Sequence, residues 1–305
     1  MSSAQQQVVS HLQGLAQQAL ALLQDLPARR QLIEQYFNIG PETQHYSATI
    51  TPVQLGDMAA EWVQAAGADA NQRLLYIHGG SWVSGSPQLY RPLLSKLSEL
   101  TGLSILAIDY RLAPEHPFPA GLDDSYEAYL WLRENGPQGA APSSNVFMMG
   151  DSAGGNLVLA CLHKLNDNQE KLPNAAVALS PATDFTGQSP SMKTKAGIDP
   201  IVNPIALTML DPIYLRGAVA LDHPYASPLF GDLSQLPPLL IQVGEMEVLL
   251  DDSVRFAEQA KQQGSDVTLQ QWPDMPHVFQ GFAPVLPQAS DAIEKIAAFI
   301  KQHLD

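Results

Sequence analysis

Gly150-Asp151-Ser152-Ala153-Gly154 sets a serine between two glycines where one kind of apolar pattern gives way to another. Val146 to Met149 read as a short buried strand, and Leu157, Ala160, Cys161 and Leu165 then recur at helical spacing. A serine on so sharp a strand-to-helix reversal is held in a strained backbone conformation, and the flanking glycines remove Cβ atoms that would clash. The turn exposes the hydroxyl and aims a helix N-terminus at it, where negative charge is favoured. That arrangement suits nucleophilic attack on a carbonyl. A glycine-rich turn with an incidental serine is the bland alternative, and the strand-helix context argues against it.

A serine hydroxyl needs a base. In a chain of this pattern the order is serine, acid, histidine. Of eight histidines only His277 and His303 follow the penultimate strand. His303 sits near the end of the terminal helix, which leaves His277, in "DMPHVFQGF", as the base. The acid belongs just beyond "LLIQVG", where Glu245, Glu247, Asp251 and Asp252 compete. The two aspartates have an alternative duty as helix caps, so Glu247 is the choice. The oxyanion of a tetrahedral intermediate needs fixed N–H donors. Ala153 supplies one, and the others are expected from Gly79 and Gly80 in "IHGGSW". His78 precedes the serine and is expected to brace this loop.

The elements that must position these residues alternate from residue 46 onward. "RLLYIHGG", "LSILAIDYR", "NVFMMGDS", "NAAVALSP", "PPLLIQVGE" and "DVTLQQWP" read as strands. Helices lie between them, including "DDSVRFAEQAKQQG", expected to be capped by Asp251 or Asp252, and "ASDAIEKIAAFIKQHL" last. Short apolar strands separated by helices predict an α/β fold, a mostly parallel central sheet with helices on both faces. Ahead of it, residues 4–24 form an amphipathic helix with Val8, Leu12, Leu15, Ala19 and Leu22 or Leu23 on one side. "ARRQLIEQYF" reads as a second helix after a break at Pro27. These helices are either a hairpin packed on the main body or a mobile cover over a site. A proline-rich stretch between "SPATDF" and "LPPLLIQVG" breaks the alternation, and long insertions of this kind are usually functional. The division expected is cap helices over 1–45, a catalytic domain over 46–305, and a cap insertion at about 185–222.

Composition narrows the partners. The 305 residues carry 31 acidic against 16 basic side chains, a net charge of −15. That balance argues against nucleic acid and anionic membranes and suits a neutral or cationic small molecule. One cysteine, Cys161, excludes an internal disulfide and a cysteine-type metal site. Neither a signal peptide nor a membrane span is evident, so a cytoplasmic protein is expected, with no cofactor and no metal. The oligomeric state, a homo-oligomer included, is not legible.

In order, "HGGSW", "DYRLAPEHPFPAGLDD", "GDSAGG", "ASPL", "LPPLLIQVGEMEVLLDD" and "PHVF" resemble the hormone-sensitive-lipase-like branch of the α/β-hydrolases, a family of many bacterial carboxylesterases. The resemblance covers most of the chain from about residue 70. It implies Ser152 as nucleophile, Glu247 at the acid position, His277 as base, an oxyanion hole at Gly79, Gly80 and Ala153, and a cap. Two departures stand out: Ser81 replaces the third glycine of the usual HGGG, and Gly244-Glu245-Met246-Glu247-Val248-Leu249 replaces G-x-x-D-P-L. The implied activity is hydrolysis of short- to medium-chain neutral carboxylesters through an acyl-enzyme. A lactone hydrolase using the same triad is the alternative, and a non-catalytic ligand receptor a more distant one. A long-chain lipase and a peptidase lack support.

Overall fold

The computed structural model of the chain describes residues 1–22 and 24–304, so Leu23, a candidate for the first helix's apolar side, lies outside them. Eight strands form one sheet: β1 (Thr49–Leu55), β2 (Met58–Gln64), β3 (Asp69–Ile77), β4 (Leu103–Ile108), β7 (Asn145–Asp151), β8 (Ala175–Leu179), β9 (Leu239–Gly244) and β10 (Val267–Trp272). A two-stranded ribbon, β5 (Asn135–Gly136) and β6 (Gly139–Ala140), stands apart. The sheet order is β1-β2-β4-β3-β7-β8-β9-β10. Pairing is parallel from β4 through β10 and antiparallel only at the β1–β2–β4 edge.

Alternation along the strands feeds two cores. Leu75 and Ile77 of β3 and Leu106 and Ile108 of β4 face one side, and Leu74, Tyr76, Ile105 and Ala107 face the other. The first side packs α4 (Ala120–Glu134), α5 (Ala153–Asp167) and α8 (Leu250–Gln262). The second packs α3 (Arg91–Thr101) and α9 (Pro287–Gln302). Burial on both faces is why these strands are apolar at almost every position.

The edge hairpin was not singled out by the strand pattern. Its outer strand β1 is mostly exposed and contains Pro52, which lacks a ladder donor and is tolerated at a sheet edge.

At the N-terminus, α1 (Ser3–Ala21) starts on a capping box between Ser2 and Gln5. Val8 and Leu12 are fully buried in the α3–α9 core, whereas Ala19 is only half-buried. The second helix, α2 (Leu26–Ile33), differs from expectation: Pro27 lies inside its first turn, where its missing N–H has no partner to lose. Asp25 caps it by accepting from Ala28 N–H (3.0 Å). The helix stops at Ile33, and Tyr36 and Phe37 beyond it are buried in an aromatic group with Tyr90 and Phe282.

The insertion holds two short helices, α6 (Ser191–Thr194) and α7 (Pro204–Thr208), and a single π turn over Asp211–Leu215. Among the described residues no helix is long and apolar enough to cross a membrane.

Candidate active site

Ser152 sits between the end of β7 and the start of α5 with φ 52° and ψ −118°, a left-handed conformation that costs a non-glycine residue roughly 1–3 kcal/mol. Its N–H donates to Leu179 O (2.8 Å), which ties the turn to the neighbouring strand β8. The glycines are required by crowding. A Cβ at Gly154 would lie 2.0 Å from Ile77 O, and one at Gly150 would lie 2.5 Å from Gly154 O.

His277 follows β10, and its Nδ1–H donates to Glu247 Oε2 at 2.7 Å. Glu247 is fully buried in the loop after β9. Its other oxygen, Oε1, accepts from Gly244 N–H (2.6 Å) and from the Ser180 hydroxyl (2.7 Å). Ser180 therefore steadies the carboxylate from the end of β8. It was not anticipated, although its place at the end of the strand paired with β7 offered a signal. Glutamate is one carbon longer than the aspartate of the usual motif, and these two donors fix its carboxylate where Oε2 meets His277.

Electrostatics around His277 favour its charged form. Burial pulls the imidazolium down, but the charge and hydrogen bond of Glu247, with Asp199 and Asp151 behind it, outweigh burial and hold the group above its ordinary value. His78, by contrast, is pushed down to about 4 by burial, against a single hydrogen bond with Gly79 O. It is a neutral brace, stacked on Tyr110 at 4.3 Å between ring centroids.

One expectation needs correction. Gly79 is not an available oxyanion donor, because its N–H is directed away to Asp151 Oδ1 at 2.9 Å. Asp151 is buried and also accepts from the hydroxyls of Tyr76 (2.7 Å) and Tyr90 (2.8 Å). Burial pushes it up to about 6 despite those donors. The next two residues continue the loop past Ser152: Gly80 has φ 118°, and Ser81, in the place of the absent third glycine, has φ 57°. A Cβ at Gly80 would lie 2.0 Å from Ser84 O, so that position admits only glycine.

Asp251 and Asp252 are not caps either. Helix α8 begins at Leu250 with Leu249 at the cap position and no side-chain cap. Asp252 points sideways and is buried: Oδ2 accepts from Thr183 N–H (2.7 Å) and Asp184 N–H (3.1 Å), and Oδ1 from the Ser189 hydroxyl (2.5 Å). It pins the start of the insertion. Burial pushes its carboxyl up to about 7.

Ser152, Ala153, His277, Gly80 and Ser81 share one cavity of ≈ 270 Å³, which Gly79 also borders. Its far wall is aliphatic, with Leu15, Ala19 and Leu20 of α1, Leu32 of α2 and Leu207 of α7. The N-terminal helices are held over it by Arg30, which pairs bidentately with Glu115 (2.7 and 2.9 Å) and donates to Val83 O and Ala113 O. Glu115 and Ala113 both belong to "DYRLAPEHPFPA", so that stretch carries a docking contact for α2. Beyond α2, the Tyr36 hydroxyl donates to His277 O at 2.8 Å.

Residues 74–281 match a family described as alpha/beta hydrolase fold. An acetyl-hydrolase of Streptomyces hygroscopicus is 43% identical over 249 residues, 82% of this chain and 81% of the relative. An esterase of Acinetobacter venetianus is 35% identical over 272 residues, 89% and 88% of the two chains. The crystal structure of an esterase from the bacterial hormone-sensitive lipase family superposes with a TM-score of 0.90 at 38% identity, covering 100% of this chain and 99% of the other.

Proposed function

The chain belongs to the α/β-hydrolase family, in its bacterial hormone-sensitive-lipase branch, and is a hydrolase; on that footing we propose that it cleaves short- to medium-chain neutral carboxylesters through a serine acyl-enzyme. The observation that carries the reading is the 2.7 Å bond from His277 Nδ1 to buried Glu247, made at the edge of the cavity that also holds Ser152.

With Nδ1–H committed to Glu247, Nε2 is left to take the Ser152 proton as Oγ attacks the ester carbonyl. The carbonyl oxygen becomes an oxyanion, received by the N–H groups of Ala153, Gly80 and Ser81, with Ala153 at the positive end of α5. Ser81 takes this part in place of Gly79. Nε2 then returns the proton to the departing alcohol. Water, deprotonated by the same nitrogen, attacks the acyl carbon; the bond to Ser152 Oγ breaks, the acid leaves, and Nε2 returns the proton to Oγ.

The aliphatic wall supports a neutral acyl group, and the cavity volume a short to medium one. The cap is read as α1 and α2 with the insertion at about 185–222, closing over the catalytic domain. The test is treatment with an organophosphate followed by mass spectrometry of the labelled peptide, beside rates on a panel of esters and lactones. Label on Ser152 and faster ester than lactone cleavage support the reading. Label elsewhere overturns the mechanism, and lactone preference overturns the substrate class.

A further inference from the structure

Asp199 lies in the insertion between α6 and α7, outside the groups that carry out the reaction, yet its carboxylate reaches their frame. Oδ1 accepts from Ile201 N–H (3.0 Å) and Val202 N–H (2.9 Å), and Oδ2 accepts from Val248 N–H (2.9 Å). Val248 is the residue after Glu247, and Ile201 and Val202 line the cavity. One carboxylate therefore joins a wall of the substrate site to the loop that carries the acid. Ser191 grips the same loop, donating to Val248 O (2.6 Å) and accepting from Asp251 N–H (2.9 Å).

The second observation is electrostatic. The charged groups felt by His277 are Glu247 first, then Asp199 and Asp151. Asp151 is already surrounded by three donors. Burial pushes the Asp199 carboxyl above its ordinary value, and His277 together with three backbone N–H donors opposes that push and favours the charged form. An imidazolium forms as Ser152 gives up its proton, so a fixed negative charge nearby favours that moment of the reaction.

We propose that Asp199 is a positioning residue of this hydrolase: it clamps the acid loop at Val248 so that Glu247 stays aimed at His277, and it sets a second negative charge behind the imidazole. The inference rests on the assignment of Glu247 and His277 as acid and base.

The test is the pH profile of kcat and kcat/KM for p-nitrophenyl acetate, with melting curves, on wild type, Asp199→Asn, Asp199→Glu and Glu247→Gln. Asparagine removes the charge and turns an N–H₂ toward one of the backbone donors. The acid limb of its kcat/KM profile moves to lower pH by about half a unit, less than a direct partner would produce. Its kcat falls roughly ten-fold or more, as when a reacting group loses its support. Asp199→Glu restores the position of the acid limb but not the full kcat. If Asp199→Asn fails to fold, Asp199→Ser, a smaller uncharged acceptor, is read the same way. A lowered melting temperature with an unmoved acid limb reduces Asp199 to a structural residue and overturns the proposal. The Glu247→Gln arm separates the two levels. Its collapse beside a wild-type profile for Asp199→Asn leaves the triad standing and removes Asp199. A Glu247→Gln enzyme at wild-type kcat removes the triad assignment itself.

Discussion

The floor and the far wall of the cavity are built on different principles. On the floor, the carboxylates and the serine turn have directed partners: Glu247 accepts three hydrogen bonds, Asp151 accepts three, and the Ser152 N–H donates to Leu179 O from a left-handed turn. The wall is aliphatic and uneven in burial, running from buried Leu15 to Leu20, which is 61% exposed. Hydrogen bonds fix angles and distances to fractions of an ångström, while apolar contacts constrain little beyond volume. The difference teaches that the reaction is specified tightly and the acyl group loosely. Floor substitutions should be catastrophic and wall substitutions graded.

The harshest test of that contrast is Ser152→Ala, expected to cost about 10⁶-fold in kcat by analogy with nucleophile removal in subtilisin, with an unchanged melt. Residual activity near wild type would break the comparison at its root. Glu247→Gln comes next, at about 10⁴-fold, because the imidazole loses its tautomer control and the stabilisation of its charged form. Asp252→Asn is the matched control, a buried carboxylate five residues further along, in the first turn of α8. Asparagine can still accept from Thr183 and Asp184 and donate to Ser189, so kcat should stay close to wild type.

Acidity gives an intermediate test. His277 must be neutral to act as base, and the surrounding carboxylates hold its proton more firmly than usual. The acid limb of kcat/KM is therefore expected above pH 6.5, the ordinary histidine value. Activity is lost as pH falls through that limb. In Glu247→Gln whatever activity survives should have its limb displaced to lower pH.

Tyr36→Phe probes the seam between the two regions. Loss of a buried hydroxyl that donates to His277 O should cost about 1 kcal/mol of stability, read as a lower melting temperature, with kcat down only a few-fold. The smallest effect is expected at Leu20→Ala. It should shift the preference between butyrate and hexanoate esters by about 1 kcal/mol in relative kcat/KM and leave acetate hydrolysis alone. A large fall on acetate would mean that the wall also shapes the floor.

Legibility in the sequence followed the same divide. The turn that carries Ser152 could be read because its requirements are contiguous: a strand, two glycines that no Cβ can replace, and a helix. His277 and Glu247 were singled out by chain order and by the absence of other duties, and the structure brings them together. Gly79 was misjudged because the direction of its N–H depends on Asp151, 72 positions away. Asp252 was mistaken for a cap because an acid at a helix start looks the same whether it turns back on its own helix or reaches sideways to Thr183. Arg30 and Tyr36 carried no local pattern at all, since their partners lie 85 and 241 positions along the chain.

That last span has a consequence for how the enzyme comes into being. A ribosome releases the segment bearing Tyr36 long before the one bearing His277. At roughly 5–20 residues per second, 241 residues take roughly 12–48 s. During that interval α1 and α2 have neither α9 to bury Val8 and Leu12 nor the histidine loop to dock against. The segment bearing α1 and Tyr36 therefore finds its place only after α9 and the histidine loop have been made, and a nascent chain acquires esterase activity no earlier than that.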